Sequence, residues 1–228
     1  MPTKKTPPAR KTIRSIADVL QILHGHEDGI YVYRGEDSNS YLLRPKLGRC
    51  EPHPEIPWSD AESTLLHDFQ RRSIPFLTWR PRTELQWLGL AQHNGLATRL
   101  LDWTENPLVA LFFALRSQVL GNTRILYALR TDDFVYVDDT ENPFGFGKVV
   151  LHQPPHISPR ISAQRGLFSI HPDPSTAFAS SFLERWQIAG SSAARMLIEL
   201  ERLGINAEAL FPGLETVAQQ VNNDVLGL

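Results

Sequence analysis

The sequence predicts an α+β fold: a single domain in which a mixed β-sheet packs around a buried hydrophobic helix at about 107–118, followed by a helical C-terminal region. Three observations predict it. Residues 108–115 read LVALFFAL with no polar residue. That run is too short for a bilayer, which needs about 20 apolar residues, and a helix apolar all round has to be buried within the protein. Residues 31–33, 124–130 and 167–171 alternate as half-buried strands do. Helix-start chemistry then recurs through the chain, with Ser15–Asp18, Ser59–Glu62 and Thr83–Gln86 each spaced as a capping box.

The 228 residues suit one large domain, and a hydrophobic content of 42% is enough for a core. A net charge of −2 gives no general drive towards nucleic acid or anionic membranes. No membrane association is expected. The one cysteine, Cys50, excludes an internal disulfide and favours a reducing, cytoplasmic setting.

Residues 1–12 carry Lys4, Lys5, Arg10 and Lys11 among prolines and read as a disordered basic tail, with the domain running over 13–228. Ile16, Val19, Leu20 and Leu23 then share a helical face, closed by His24-Gly25. Tyr31-Val32-Tyr33 is a strand ending in Arg34-Gly35. The arginine offers a planar cationic fork suited to phosphate or carboxylate, or else bridges two loops; the glycine permits a sharp turn or close backbone approach to a ligand. Pro52, Pro54 and Pro57 stiffen a connector. A helix with Leu65, Leu66 and Phe69 follows, then one with Leu85, Leu88 and Ala91, closed by Asn94-Gly95. His93 therefore falls in a last helical turn, and Asp102 to Glu105 near the start of the next helix, which Asn106 caps and Pro107 opens, with Gly121-Asn122 as its end.

Gln92, His93, Arg99, Asp102, Trp103 and Thr104 thus crowd beside an obligatory core element, where polar groups must be paired or must line a cleft. Two accounts stand side by side: an internal Arg99–Asp102 ion pair with Trp103 lidding the core, or a ligand-facing cluster. Further strands are expected at 134–137 and 148–152, around an acidic turn of Asp138, Asp139, Glu141 and Asn142. That turn lacks the ordered spacing of a calcium loop, and no metal is assigned. Gln164 precedes Gly166 and the strand 167–171, placed to orient a ligand or cap a loop. Phe182 to Ile188 reads as a final edge strand, and helices follow at 192–203, after Asn206 and at 214–225. No phosphate-cradling, dinucleotide-binding, zinc-protease or nucleophile-elbow motif occurs.

Tyr33-Arg34-Gly35, residues 91–104 (AQHNGLATRLLDWT) and Asn106-Pro107-Leu108 resemble the FRG domain family, named for an aromatic-Arg-Gly motif. The likeness continues through Gln164-Arg165-Gly166-Leu167-Phe168 and Leu210-Phe211-Pro212-Gly213-Leu214. Tyrosine replaces the eponymous phenylalanine, and Ala97 stands where the family usually has proline. Family members occur in bacteria and phages, sometimes in settings that suggest defence or toxicity.

The aromatic-Arg-Gly strand end is also similar to the arginine motif with which many ADP-ribosyltransferases hold NAD. The resemblance then implies a cleft for an anionic nucleotide-like ligand, with NAD as co-substrate. Arg34 and Gly35 would bind it, Arg99 would neutralise a second phosphate, Tyr33 or Trp103 would stack on a ring, and Gln92 would position it. His93, Asp102 and Gln164 are the catalytic candidates. The late glutamate usual in such enzymes has no evident counterpart; Gln164 occupies the nearest place, and Glu36, Asp102 or Glu105 would have to substitute. The alternatives are a hydrolase of nucleotides or nucleic acid, and a non-catalytic module sensing a ligand or a protein partner.

Overall fold

The computed structural model describes residues 12–51, 56, 58–117, 123–155 and 159–226. Residues 1–11 of the basic tail, Pro52, Pro54, Pro57 and the Gly121-Asn122 helix end lie outside the described residues. The fold is α+β with mixed strand pairing. The strands are β1 (Thr12–Ile13), β2 (Tyr31–Glu36), β3 (Leu100–Thr104), β4 (Arg124–Arg130), β5 (Tyr136–Val137), β6 (Val150–His152), β7 (Gly166–Ile170) and β8 (Leu183–Ile188). The helices are α1 (Ile16–His24), α2 (Trp58–Ser73), α3 (Glu84–His93), α4 (Pro107–Leu115), α5 (Pro159–Gln164), α6 (Ala193–Arg202), α7 (Ala207–Leu210) and α8 (Leu214–Leu226). No described helix is long and apolar enough to cross a membrane.

The chain forms two compact units, one from the described residues of Met1–Ser40, Thr104–Asp132 and Ser181–Leu228, the other from Tyr41–Trp103 and Asp133–Ser180.

In the first unit β1 runs parallel to β8, β8 antiparallel to β4, and β4 antiparallel to β2. Tyr33 also pairs with Thr104. Thr12, assigned to the tail by sequence, is thus a strand residue opposite Gln187. For the same reason β8 is no edge strand: β1 covers one side and β4 the other. The Ser15 capping box forms as expected, with Asp18 N–H donating to Ser15 Oγ at 3.3 Å and Ser15 N–H to Asp18 Oδ2 at 3.0 Å. Asn106 Oδ1 accepts from Leu108 N–H at 2.9 Å and opens α4. This helix stops at Leu115 rather than 118. Val109, Ala110, Leu111, Ala114 and Leu115 are buried in a core shared with Tyr33, Leu126, Trp186, Met196 and Leu200. Burying each large apolar side chain contributes about 1.5–3 kcal/mol.

Gly35 is where α4 meets β2. A Cβ on Gly35 would stand 1.8 Å from the Ala110 carbonyl oxygen and 2.7 Å from Ala114 N. The close approach expected here for a ligand is therefore made by a helix of the protein itself.

In the second unit β3 neighbours β7, β7 runs antiparallel to β6, and β6 parallel to β5. Helices α2 and α3 pack Leu66, Leu85, Leu88 and Ala91 against Leu100, Phe168 and Ile170. Two of the elements that differ from the sequence reading bear on the site. Residues 100–104 form a strand rather than an approach to a helix. All but Asp102 are buried, which hides the alternation that would have marked it. Ser59 lies inside α2 rather than at its cap, and Glu62 turns to Arg99 instead. The acidic turn is held internally: Asp139 Oδ2 accepts from Gln86 Nε2 at 2.8 Å, and Oδ1 lies 3.1 Å from His152 Nε2.

Candidate functional site

In the second unit His93 lies within electrostatic reach of Asp102. His93 ends α3, where Asn94 caps the helix and Gly95 takes a φ of +87°, a conformation glycine adopts freely. Its ring is half-buried and stands edge-on to Phe168. Asp102 is the exposed residue of β3. Burial holds the His93 imidazole below its ordinary pKa of 6.5; the charge of Asp102 raises it, and the Arg160 guanidinium lowers it again. The outcome is a neutral imidazole at neutral pH, with an anion and a cation both in electrostatic reach.

Each neighbour is anchored. Gln92 Nε2 donates to Asp102 Oδ2 at 2.9 Å, while Gln92 Oε1 accepts from the buried Thr98 hydroxyl at 2.5 Å. Gln92 is thus a brace between α3 and β3, positioning the carboxylate. Arg160 Nη1 donates to the His93 carbonyl at 3.2 Å. Gln164 follows Arg160 by four residues in α5 and so shares its helix face. The next residue, Arg165, takes a φ of +45°, which is uncommon for a side-chain-bearing residue. At Gly166 a Cβ would lie 3.8 Å from the Trp103 carbonyl oxygen, an ordinary contact.

Arg99 is held elsewhere. Its partner is Glu62, not Asp102. Glu62 Oε1 accepts from the Arg99 backbone N–H at 3.0 Å, and Oε2 accepts from Nε at 2.8 Å and Nη2 at 2.6 Å. The guanidinium also lies 4.7 Å from the Phe144 ring centre. Both residues are buried. A second phosphate would have to compete with this internal carboxylate, so the geometry favours the structural account of Arg99. Trp103 is buried too, its indole N–H donating to Ser169 Oγ at 2.9 Å, and Ser169 in turn shares a 2.9 Å bond with His171 Nε2. Ring stacking on a ligand is closed to it.

In the first unit Tyr33 is buried, bonded through its hydroxyl to His26 Nδ1 at 3.0 Å, and burial pushes its pKa up to about 12. It too is core rather than a stacking platform. Arg34 lies on the other face of β2, where Nε donates to Glu36 Oε1 at 3.2 Å. Glu36 is 3% exposed, and its Oε2 has no hydrogen-bond partner among the described residues. Sequence reasoning named Glu36 only as a substitute carboxylate; its place two residues after Arg34 on a strand, hence on the same face, was the available signal. Glu62 and Arg160 carried no comparable signal, because their partners lie 37 and 67 residues away.

Residues 29–122 match the family model of the FRG domain, and the chain carries that domain there. The later stretches at 164–168 and 210–214 lie beyond the match. No curated protein and no solved structure matches the chain.

Proposed function

We propose that this FRG-domain chain binds a nucleotide-like anion and acts on it through His93 and Asp102, with NAD as the first co-substrate to try. One observation carries the reading: a half-buried neutral imidazole lies within electrostatic reach of an exposed carboxylate in one unit, with the Arg160 guanidinium on its own carbonyl. A neutral His93 is competent as a general base at pH 7 without first losing a proton. It would take the proton of an attacking hydroxyl or water. Asp102, fixed by Gln92, would stabilise the imidazolium that forms or the positive charge developing on a ribosyl carbon. Arg160, and Gln164 on the same helix face, would hold the anionic part of the ligand.

The test incubates the full chain with NAD and measures released nicotinamide, then repeats with a nucleoside diphosphate and measures released phosphate. His93→Ala and Asp102→Asn are expected to lower turnover by about 10²–10⁴. Turnover that survives both changes refutes the assignment. A role in defence or toxicity follows from the same reading, since a cytoplasmic enzyme consuming NAD would drain a host pool; arrested growth on expression, relieved by His93→Ala, is the expected outcome.

A second reading is a non-catalytic module recognising a nucleotide, nucleic acid or protein. It is favoured by the internal commitments of Tyr33, Gly35, Arg99 and Trp103. Binding without turnover of either substrate decides for it.

A further inference from the structure

We infer that the face of the first unit formed by β2, β4 and β8 binds a phosphorylated sugar, its phosphate on Arg185 and one of its hydroxyls on Oε2 of Glu36. The inference rests on the reading above only in taking the ligand to be nucleotide-like.

The register sets the residues side by side. Arg34 pairs with Tyr127 and Tyr127 with Arg185, so the three side chains form a row across three strands on one face. Glu36 follows Arg34 on that face. The Tyr127 hydroxyl is the centre of the group: it lies within electrostatic reach of Glu36, Arg185 and Arg34. Arg185 is exposed, and its Nη2 donates to Asn39 Oδ1. The row therefore runs from an exposed cation to a buried carboxylate.

The buried end is what asks for a ligand. Glu36 is 3% exposed, Oε1 takes Arg34, and Oε2 takes nothing among the described residues. Buried carboxylate oxygens are normally satisfied, and one left without a donor is strongly unfavourable. The missing donor is constrained by its surroundings. An ammonium group would be repelled by Arg34 and Arg185. A bare anion would be drawn to Arg185 but repelled by Glu36. A molecule carrying an anion at one end and a neutral O–H donor at the other satisfies both, which is the chemistry of a sugar phosphate.

Titration calorimetry on the full chain with ribose 5-phosphate, methyl phosphate and inorganic phosphate tests this. Ribose 5-phosphate is expected to bind about tenfold more tightly than methyl phosphate, which lacks a hydroxyl, as befits one added hydrogen bond to a charged acceptor. Arg185→Ala, an exposed change, is expected to weaken both esters about tenfold. Glu36→Gln is expected to erase the sugar preference and leave phosphate binding. Equal affinity for the two esters, no binding of any probe, or indifference to Arg185→Ala overturns the inference. If Glu36→Gln melts early, the wild-type preference and Arg185→Ala decide alone. Sugar-phosphate binding without turnover sinks the acid–base reading and leaves this one standing. Turnover that needs His93, with the two esters binding equally, does the reverse.

Discussion

Among the described residues each unit holds an arginine paired to a buried glutamate, Arg34 with Glu36 and Arg99 with Glu62, and the two pairs are finished differently. In the second unit Glu62 uses both oxygens on Arg99, accepting two guanidinium bonds and one from the backbone. In the first unit Glu36 uses one oxygen on Arg34 and leaves the other without a donor among the described residues. A closed pair fixes one segment against another, here the start of β3 against α2. An open pair retains unmet hydrogen-bonding capacity, which a donor from outside the pair can fill. The sequence offered Arg34 and Arg99 as equivalent anion grips; their glutamates make them unlike.

The largest effect should come from breaking the closed pair. Arg99→Ala leaves Glu62 as an uncompensated buried charge and is expected to lower stability by about 3–5 kcal/mol in urea denaturation. A loss below about 1 kcal/mol would show that the clamp is dispensable.

Gly35→Ala comes next. It drives a Cβ into the α4 backbone on the strand that carries the open pair, at an expected loss of about 1–3 kcal/mol. A neutral result would mean that α4 and β2 can separate without penalty.

Acid is a third probe. Burial lowers the pKa of His26 and of His93 below 6.5, so both resist protonation in the folded state while the unfolded chain takes up protons at the ordinary value. Their contribution is whole above pH 6.5 and is lost as pH falls through the lowered folded values. Melting temperature is expected to drop between pH 7.5 and 5, with His93→Gln flattening that slope by at most about 1.4 kcal/mol per pH unit. An identical slope in the variant would contradict this.

The smallest effect is expected at the open pair. Glu36→Gln keeps an acceptor for Arg34 and removes charge from an oxygen that had no donor, so stability should change by less than about 1 kcal/mol. A loss as large as that of Arg99→Ala would make the two pairs alike and erase the distinction.

Much of the fold was legible in the chain. The apolar run after Asn106-Pro107 named α4, the Ser15 box named α1, and alternation named β4 and β7. Residues 100–104 were not legible as a strand, because burial of both faces removes period-two contrast. Of the candidate site residues, His93 and Asp102 lie within electrostatic reach of each other, since a helix end and a nearby strand lie close in sequence. Tyr33 and Trp103 have the side chains of ligand platforms, but their hydroxyl and indole N–H are taken by His26 and Ser169.

The sequence by itself determined which segments had to be buried and where helices begin, because hydrophobic periodicity and capping are local. Only the tertiary structure decided which arginine–glutamate pair is closed and which keeps an oxygen to offer. That depends on whether Glu62 and Glu36 have their oxygens filled, and long-range pairing of polar groups leaves no periodic trace in the chain.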